Sequence, residues 1–397
     1  MLGSIVRSTL LVILLLSAVD RLDAETVITH CQTETLHMTA DIDVRRLGTC
    51  SDDAPENALW FLDRLDSVDG SSNGRFVRTS ASALVYVLDT GVEIDHDEFA
   101  NGNVIDGIDL QRLRGQRPNC SSPNEAIHPC FTDQSQTSFF IFSHGTGVAS
   151  LIGGRHVGVA PGVKMISMTA LGTPEVQNWL FVLNAVIQKA WDPSTPNVRT
   201  AVINMSTQLS GDGFYADVEQ KIRDMVGGVD RNGNPDPNGK RFVFVVAAGN
   251  TGAVHPPNDE LGQCDSKNQV HLFPAALGPS LPGLITVGGI GKDNKLWSDT
   301  CRGPAVELLA PAEDIMPAIT SGKDHYRKTL SSGTSFATPI VSGAAAQLLA
   351  REPNLTPAEV EERLEATPSF ITGPADGTSG KVVYVVYPAE ARRRAVR

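Results

Sequence analysis

The chain has 397 residues and carries 33 Lys and Arg against 45 Asp and Glu, a formal charge of −12. Apolar residues make up 41% and charged residues 20%, the balance of a folded soluble protein rather than a disordered or fibrous one. The acidic excess speaks against nucleic-acid binding, which needs a basic face, and the one basic run, Arg392–Arg394, belongs to a terminal tail.

At the N-terminus, Arg7 precedes an apolar run from Leu10 to Val19, with the small residues Ser17 and Ala18 near its end and Ala24 beyond it. This is the pattern of a secretory signal, and the run is too short to span a bilayer, so secretion with cleavage after Ala24 is expected. The cysteines agree with an oxidising compartment. Cys31, Cys50, Cys120, Cys130, Cys264 and Cys301 are even in number and lack the Cys-x-x-Cys spacing of a zinc site. Proximity along the chain favours 31–50, 120–130 and 264–301, although other pairings remain open. Of the sequons at Asn119, Asn204 and Asn354, Asn204 ends an apolar strand and is expected to be buried.

After a polar lead-in, buried strands are predicted at Leu84–Leu88, Val163–Met168, Thr200–Met205 and Phe242–Ala247. Between them Val176, Trp179, Leu180, Leu183, Ile187 and Ala190 recur at helical spacing, as do Phe214, Val218, Ile222 and Met225. The apolar stretch Ile340–Ala350 reads as a buried helix. Thr356-Pro357-Ala358-Glu359 carries the capping box of a helix start. Near-continuous apolar strands alternating with helices predict an α/β fold, a doubly wound and mostly parallel sheet with helices on both faces. The division expected is a signal at 1–24, a short Cys-containing segment at 25–55, a single catalytic domain at 56–388 and a basic tail at 389–397.

In such sheets chemistry collects beyond the carboxyl ends of the strands. Asp89 follows one predicted strand directly and Asn250 another, while a glycine-rich segment leads into the apolar helix. Val87-Leu88-Asp89-Thr90-Gly91, Ser143-His144-Gly145-Thr146-Gly147 and Gly333-Thr334-Ser335-Phe336-Ala337-Thr338-Pro339 together supply an acid, a base and a nucleophile. A serine hydroxyl needs an imidazole to take its proton, and that imidazole needs a carboxylate to fix its tautomer. Ser335 would open a helix whose dipole favours negative charge, and Asn250 would donate to the tetrahedral oxyanion.

These segments, with Ala247-Ala248-Gly249-Asn250, resemble the subtilisin family of serine proteases, closest in pattern to secreted proteinase K-like enzymes. Trp60–Asp66, Gly158-Val159-Ala160-Pro161, Ile203-Asn204-Met205-Ser206, Phe273-Pro274-Ala275 and Ile285-Thr286-Val287-Gly288 extend the resemblance over roughly residues 56 to 388. It implies Asp89, His144 and Ser335 as the catalytic triad of an endopeptidase, with Asn250 as oxyanion donor. It further implies substrate binding by Ser206, Thr207, Gln208 and by Ala247, Ala248 and Gly249, no cofactor for catalysis, and structural calcium at a site the sequence does not name. Protein or peptide substrates, an extracellular location, no membrane attachment after signal cleavage and a monomeric state complete the expectation.

Three departures accompany the resemblance. Gly147 stands where the family has a second histidine, and Phe336 replaces the methionine after the nucleophile. Ser206-Thr207-Gln208-Leu209 replaces Ser-Leu-Gly-Gly, so Gln208 is expected to narrow the primary pocket. The stretch between Ala24 and Ala54 is too short for the family's folded inhibitory prodomain, although Arg45-Arg46 offers a dibasic processing point. A catalytically silent subtilisin-fold binding or inhibitory protein is the alternative. An α/β-hydrolase esterase is disfavoured because its triad runs Ser, Asp, His.

Other patterns resolve to bland readings. Gly70-Ser71-Ser72-Asn73-Gly74 matches a nucleophile elbow but follows no strand, and Asp89-Thr90-Gly91 lacks the second copy an aspartic protease requires. Asp230, Asn232, Asn234 and Asp236 alternate like calcium ligands, but Pro235 and Arg241 occupy the positions where an EF-hand needs Gly and Glu. A solvated turn is expected there.

Overall fold

The computed structural model describes residues 34–38, 43–46, 59–71, 75–78, 81–99, 102–109, 144–169, 176–208, 215–251, 263–319, 331–371 and 377–385. The signal segment, Cys31, Cys50, Cys120, Cys130, Asn119 and the basic tail lie outside them. Two strands near the start, β1 (Glu34–Met38) and β2 (Asp43–Arg46), pair antiparallel with β3 (Arg75–Arg78), with β2 in the middle. Arg45 and Arg46 therefore sit in a strand paired on both sides, with Arg45 opposite Thr35 and Phe76.

The main sheet contains β4 (Leu84–Asp89), β5 (Val104–Asp109), β6 (Lys164–Thr169), β7 (Thr200–Met205), β8 (Arg241–Ala247), β9 (Leu284–Ile290) and β10 (Leu308–Pro311). All neighbours are parallel, in the order β10-β9-β8-β7-β4-β6-β5. Among the described residues the α-helices are α1 (Trp60–Arg64), α2 (His144–Gly153), α3 (Val176–Ala190), α4 (Ala216–Gly227), α5 (Thr334–Arg351) and α6 (Pro357–Glu365).

The apolar runs are continuous because both faces of the sheet are covered. In β4 the pleat sends Val85 and Val87 to one side, where they join Val148 and Leu151 of α2 and Ile340 and Val341 of α5. Leu84, Tyr86 and Leu88 point the other way and pack with Trp179 and Val186 of α3 and Ile222 and Met225 of α4. Every residue of β4 is buried. This is the doubly wound α/β architecture expected from the alternation of runs. The capping box of α6 forms as read: Glu359 N donates to Thr356 Oγ1 at 3.3 Å, and Thr356 N donates to Glu359 Oε2 at 2.8 Å.

The chain order places the site. From β4 the chain fills one side of the sheet with β6 and β5, then crosses to build β7, β8, β9 and β10 outward on the other. The direction of winding reverses at β4 and β7, and at such a switch point a crevice opens beyond the strand ends. Cys264 and Cys301 form a disulfide, the pairing favoured by proximity, with Cα atoms 5.5 Å apart. Asn204 is fully buried: its Nδ2 donates to Ser206 Oγ at 3.1 Å and its Oδ1 accepts from Ser342 Oγ at 2.9 Å. Asp230 accepts from Asn232 N and Asn234 N at 2.8 and 2.9 Å, closing an exposed turn on itself.

Candidate active site

Asp89 is the last residue of β4 and is fully buried. Its Oδ1 accepts from Thr90 N at 2.8 Å and lies 2.7 Å from Nδ1 of His144, the first residue of α2. A carboxylate only accepts, so Nδ1 carries the proton and Nε2 keeps its lone pair for another partner. The helix reaches this position because residue 145 has no side chain: a Cβ there would collide with Gly91 O and stand 3.1 Å from Asp89 Oδ1. Gly145 N is held in turn by Thr90 Oγ1 at 3.0 Å. The His144 side chain keeps 20% of its surface exposed while Asp89 has none. Burial pulls the imidazole pKa down, but the charge of Asp89 and the hydrogen bond to it outweigh burial and hold the value above that of an ordinary histidine.

Ser335 is the second residue of α5. Pro339, four residues on, lacks the N–H that would close the helical hydrogen bond to Ser335 O. Ser206 Oγ takes that place and donates to Ser335 O at 2.8 Å, tying the end of β7 to the first turn of α5. Among the described residues no hydrogen bond joins Ser335 Oγ to His144. The ring of Phe336 lies 5.8 Å from the imidazole, bringing the first turn of α5 against His144. Contacts between a nucleophile and its base are often loose without substrate and tighten when it binds.

Asn250 follows β8 and is buried. Its Oδ1 accepts from Thr334 N at 2.9 Å and Thr334 Oγ1 at 3.1 Å, which fixes the amide orientation and leaves Nδ2 as the group that can donate outward. Its backbone N donates to Gln263 Oε1 at 2.8 Å. The preceding Gly249 N donates to Thr334 Oγ1 at 3.1 Å, and Gly249 O accepts from Cys301 N at 2.8 Å. Both strand-end segments, Ser206–Gln208 and Ala247–Gly249, are thus hydrogen-bonded to each other or to the start of α5. Gln208 Nε2 reaches Ala247 O at 2.9 Å. The anchors Thr90, Thr334, Gln263 and Pro339 were not singled out from sequence. Only Pro339, at a spacing of four after the serine, carried a signal that could have been read.

Away from this site Glu307, Glu361 and Glu365 bring carboxylate oxygens within 4.8 Å of one another. Thr286 N donates to Glu307, Gly283 N to Glu361 and Lys381 Nζ to Glu365, so each carboxylate already accepts a hydrogen bond from the protein. Burial pushes the Glu307 carboxyl up to about 9, against the Thr286 hydrogen bond and reinforced by the charges of Glu361 and Glu365.

Comparison with known proteins points the same way. The model of the subtilase family matches residues 80–381. An extracellular serine proteinase of Thermus sp. (strain Rt41A) is 29% identical over 342 residues, covering 84% of this chain and 67% of that protein. Subtilisin-like protease 3 of Pseudogymnoascus destructans is 31% identical over 342 residues, covering 84% and 68%. Among solved structures, that of a cold adapted subtilisin-like serine proteinase superposes with a TM-score of 0.59 at 26% identity, covering 84% of this chain and all of that one.

Proposed function

The chain belongs to the subtilase family and is a subtilisin-like serine protease, and on that premise we propose that it is a secreted, monomeric endopeptidase working through Asp89, His144 and Ser335. The observation behind this assignment is the 2.7 Å pairing of buried Asp89 with His144, at the switch point where α5 presents Ser335. Ser335 Oγ attacks the scissile carbonyl while His144 Nε2 takes its proton, and Asp89 stabilises the resulting imidazolium. The oxyanion of the tetrahedral intermediate receives a hydrogen bond from Asn250 Nδ2. Collapse expels the amine with the proton held on His144. The same nitrogen then activates the water that cleaves the acyl-enzyme.

The catalytic steps draw only on these side chains. Secretion is supported by the leader pattern from Arg7 to Ala24 and by one relative named as an extracellular enzyme. Among the described residues no helix is long and apolar enough to cross a membrane. Hydrolysis of a mixed peptide library by the purified chain, compared with Ser335→Ala, tests the assignment. Cleavage by the parent and none by the variant supports it. A folded parent that cleaves nothing favours the silent binding protein instead.

A further inference from the structure

Strands β7 and β8 are neighbours, and the segments that leave them form two walls of one crevice. Ser206 fastens the first wall to Ser335 O, and Gly249 fastens the second to Thr334 Oγ1. The resemblance implies that these two walls receive the substrate side chain on the acyl side of the scissile bond.

The crevice is occupied. The Gln208 side chain crosses it and donates from Nε2 to Ala247 O at 2.9 Å. Its amide lies over Gly249, where a Cβ would stand 2.7 Å from Nε2 and 2.9 Å from Oε1. Cys301 Sγ, 3.0 Å from the same point, closes the crevice beneath. Gly249 has φ of +100°, a conformation that by itself favours glycine, so the wall is bare of side chain where Gln208 rests. Gln208 Oε1 is buried and, among the described residues, has no hydrogen-bond partner. An orphaned buried oxygen is a cost that a residue serving only the fold would avoid, and it calls for an explanation. Because this oxygen is buried, a polar substrate group does not reach it. The side chain acts through the space it fills.

We propose that Gln208 is the specificity-determining residue of the enzyme: its amide, strutted against Ala247 O, fills the primary crevice and restricts cleavage to bonds that follow small side chains such as glycine, alanine and serine. The inference rests on the protease assignment above. A single methylene in an apolar pocket changes selectivity by about 10- to 200-fold, so a filled crevice should separate alanine from phenylalanine by at least about 10²-fold in kcat/KM.

The experiment measures kcat/KM on peptides that differ only in the residue before the scissile bond (Ala, Leu or Phe) for the parent, Gln208→Gly and Gln208→Glu. The parent should prefer Ala. Gln208→Gly should raise the ratio of kcat/KM on the Phe peptide to that on the Ala peptide by at least about 10-fold. Gln208→Glu keeps the size but cannot donate to Ala247 O, so the strut is repelled from the crevice and the Leu and Phe peptides should gain. A parent that favours Phe, a Gln208→Gly profile like the parent's, or a Gln208→Glu profile as restrictive as the parent's overturns the inference while leaving the protease assignment intact. The parent's profile decides the matter even where a variant does not fold. Failure to cleave any peptide refutes the protease assignment, and this inference with it.

Discussion

Replacing Asn250 with leucine separates two jobs that one side chain performs. Its Nδ2 is the proposed oxyanion donor, and losing one such donor costs about 10²–10³ in kcat, or about 2.7–4 kcal/mol, a range set by subtilisin. Its Oδ1 accepts from Thr334 N and Oγ1 at 2.9 and 3.1 Å in a buried setting. Leucine leaves that N–H without a partner, so stability should fall by about 1–3 kcal/mol. The donor acts only as charge develops on the carbonyl oxygen, so KM should hardly change. Asn250→Asp provides the control: it keeps an acceptor for Thr334 but removes the donor, so kcat should fall with less loss of stability. Steady-state kinetics with thermal unfolding of the three proteins makes the comparison. A folded Asn250→Leu with kcat within about 3-fold of the parent would refute the assigned oxyanion hole.

The pH–rate profile should show the acid limb of kcat/KM above 6.5, since the Asp89 pair raises the pKa of His144 and the base must be neutral. Asp89→Asn leaves burial without the compensating charge, so the limb should move below 6.5 while kcat falls by about 10⁴. The pair's contribution to stability should be full below the unfolded value of 6.5 and lost as pH rises through the raised folded value. Glu307 is also held above its unfolded pKa, so stability should decline from about pH 4.5 toward about 9. Glu307→Gln should lessen that slope, to which Glu361 also contributes, in urea titrations, and should exceed the parent at pH 8. Cys264→Ser with Cys301→Ser opens a bridge spanning 37 residues and should cost about 3–4 kcal/mol of stability. The double variant should also lower kcat, because Gln263 and Cys301 hold the segment carrying Asn250. Unchanged kcat would show that Asn250 is held without the bridge.

What could be read from the chain followed the strength of the local pattern. β4 and β7 lie between covered faces, so their apolar runs are long and their bounds matched the expectation to within a residue. β5 escaped because Val104-Ile105-Asp106-Gly107-Ile108-Asp109 belongs to an edge strand with polar residues along it. β10 is four residues long, too short for any period to show. At the site, Asp89 and His144 were legible because strand ends and helix starts are marked by short glycine-rich segments. Their supports were not legible. Thr334 contacts Asn250 across 84 positions, and Ser206 contacts Ser335 across 129, distances over which a single sequence carries no pattern. Gln208 stood out as a departure from glycine, but its strut to Ala247 O and its unpaired oxygen emerge only from the packing.

Labelling with a fluorophosphonate tests the central claim most directly, since the reagent reacts with a serine hydroxyl that a neighbouring base has activated. Mass spectrometry of the digested adduct should place the phosphonyl group on Ser335 at one equivalent per chain. His144→Ala, which removes the base but keeps the serine, should label at least about 10²-fold more slowly. A folded chain that stays unlabelled, an adduct on another serine, or labelling of Ser335 at the same rate without His144 would contradict the account.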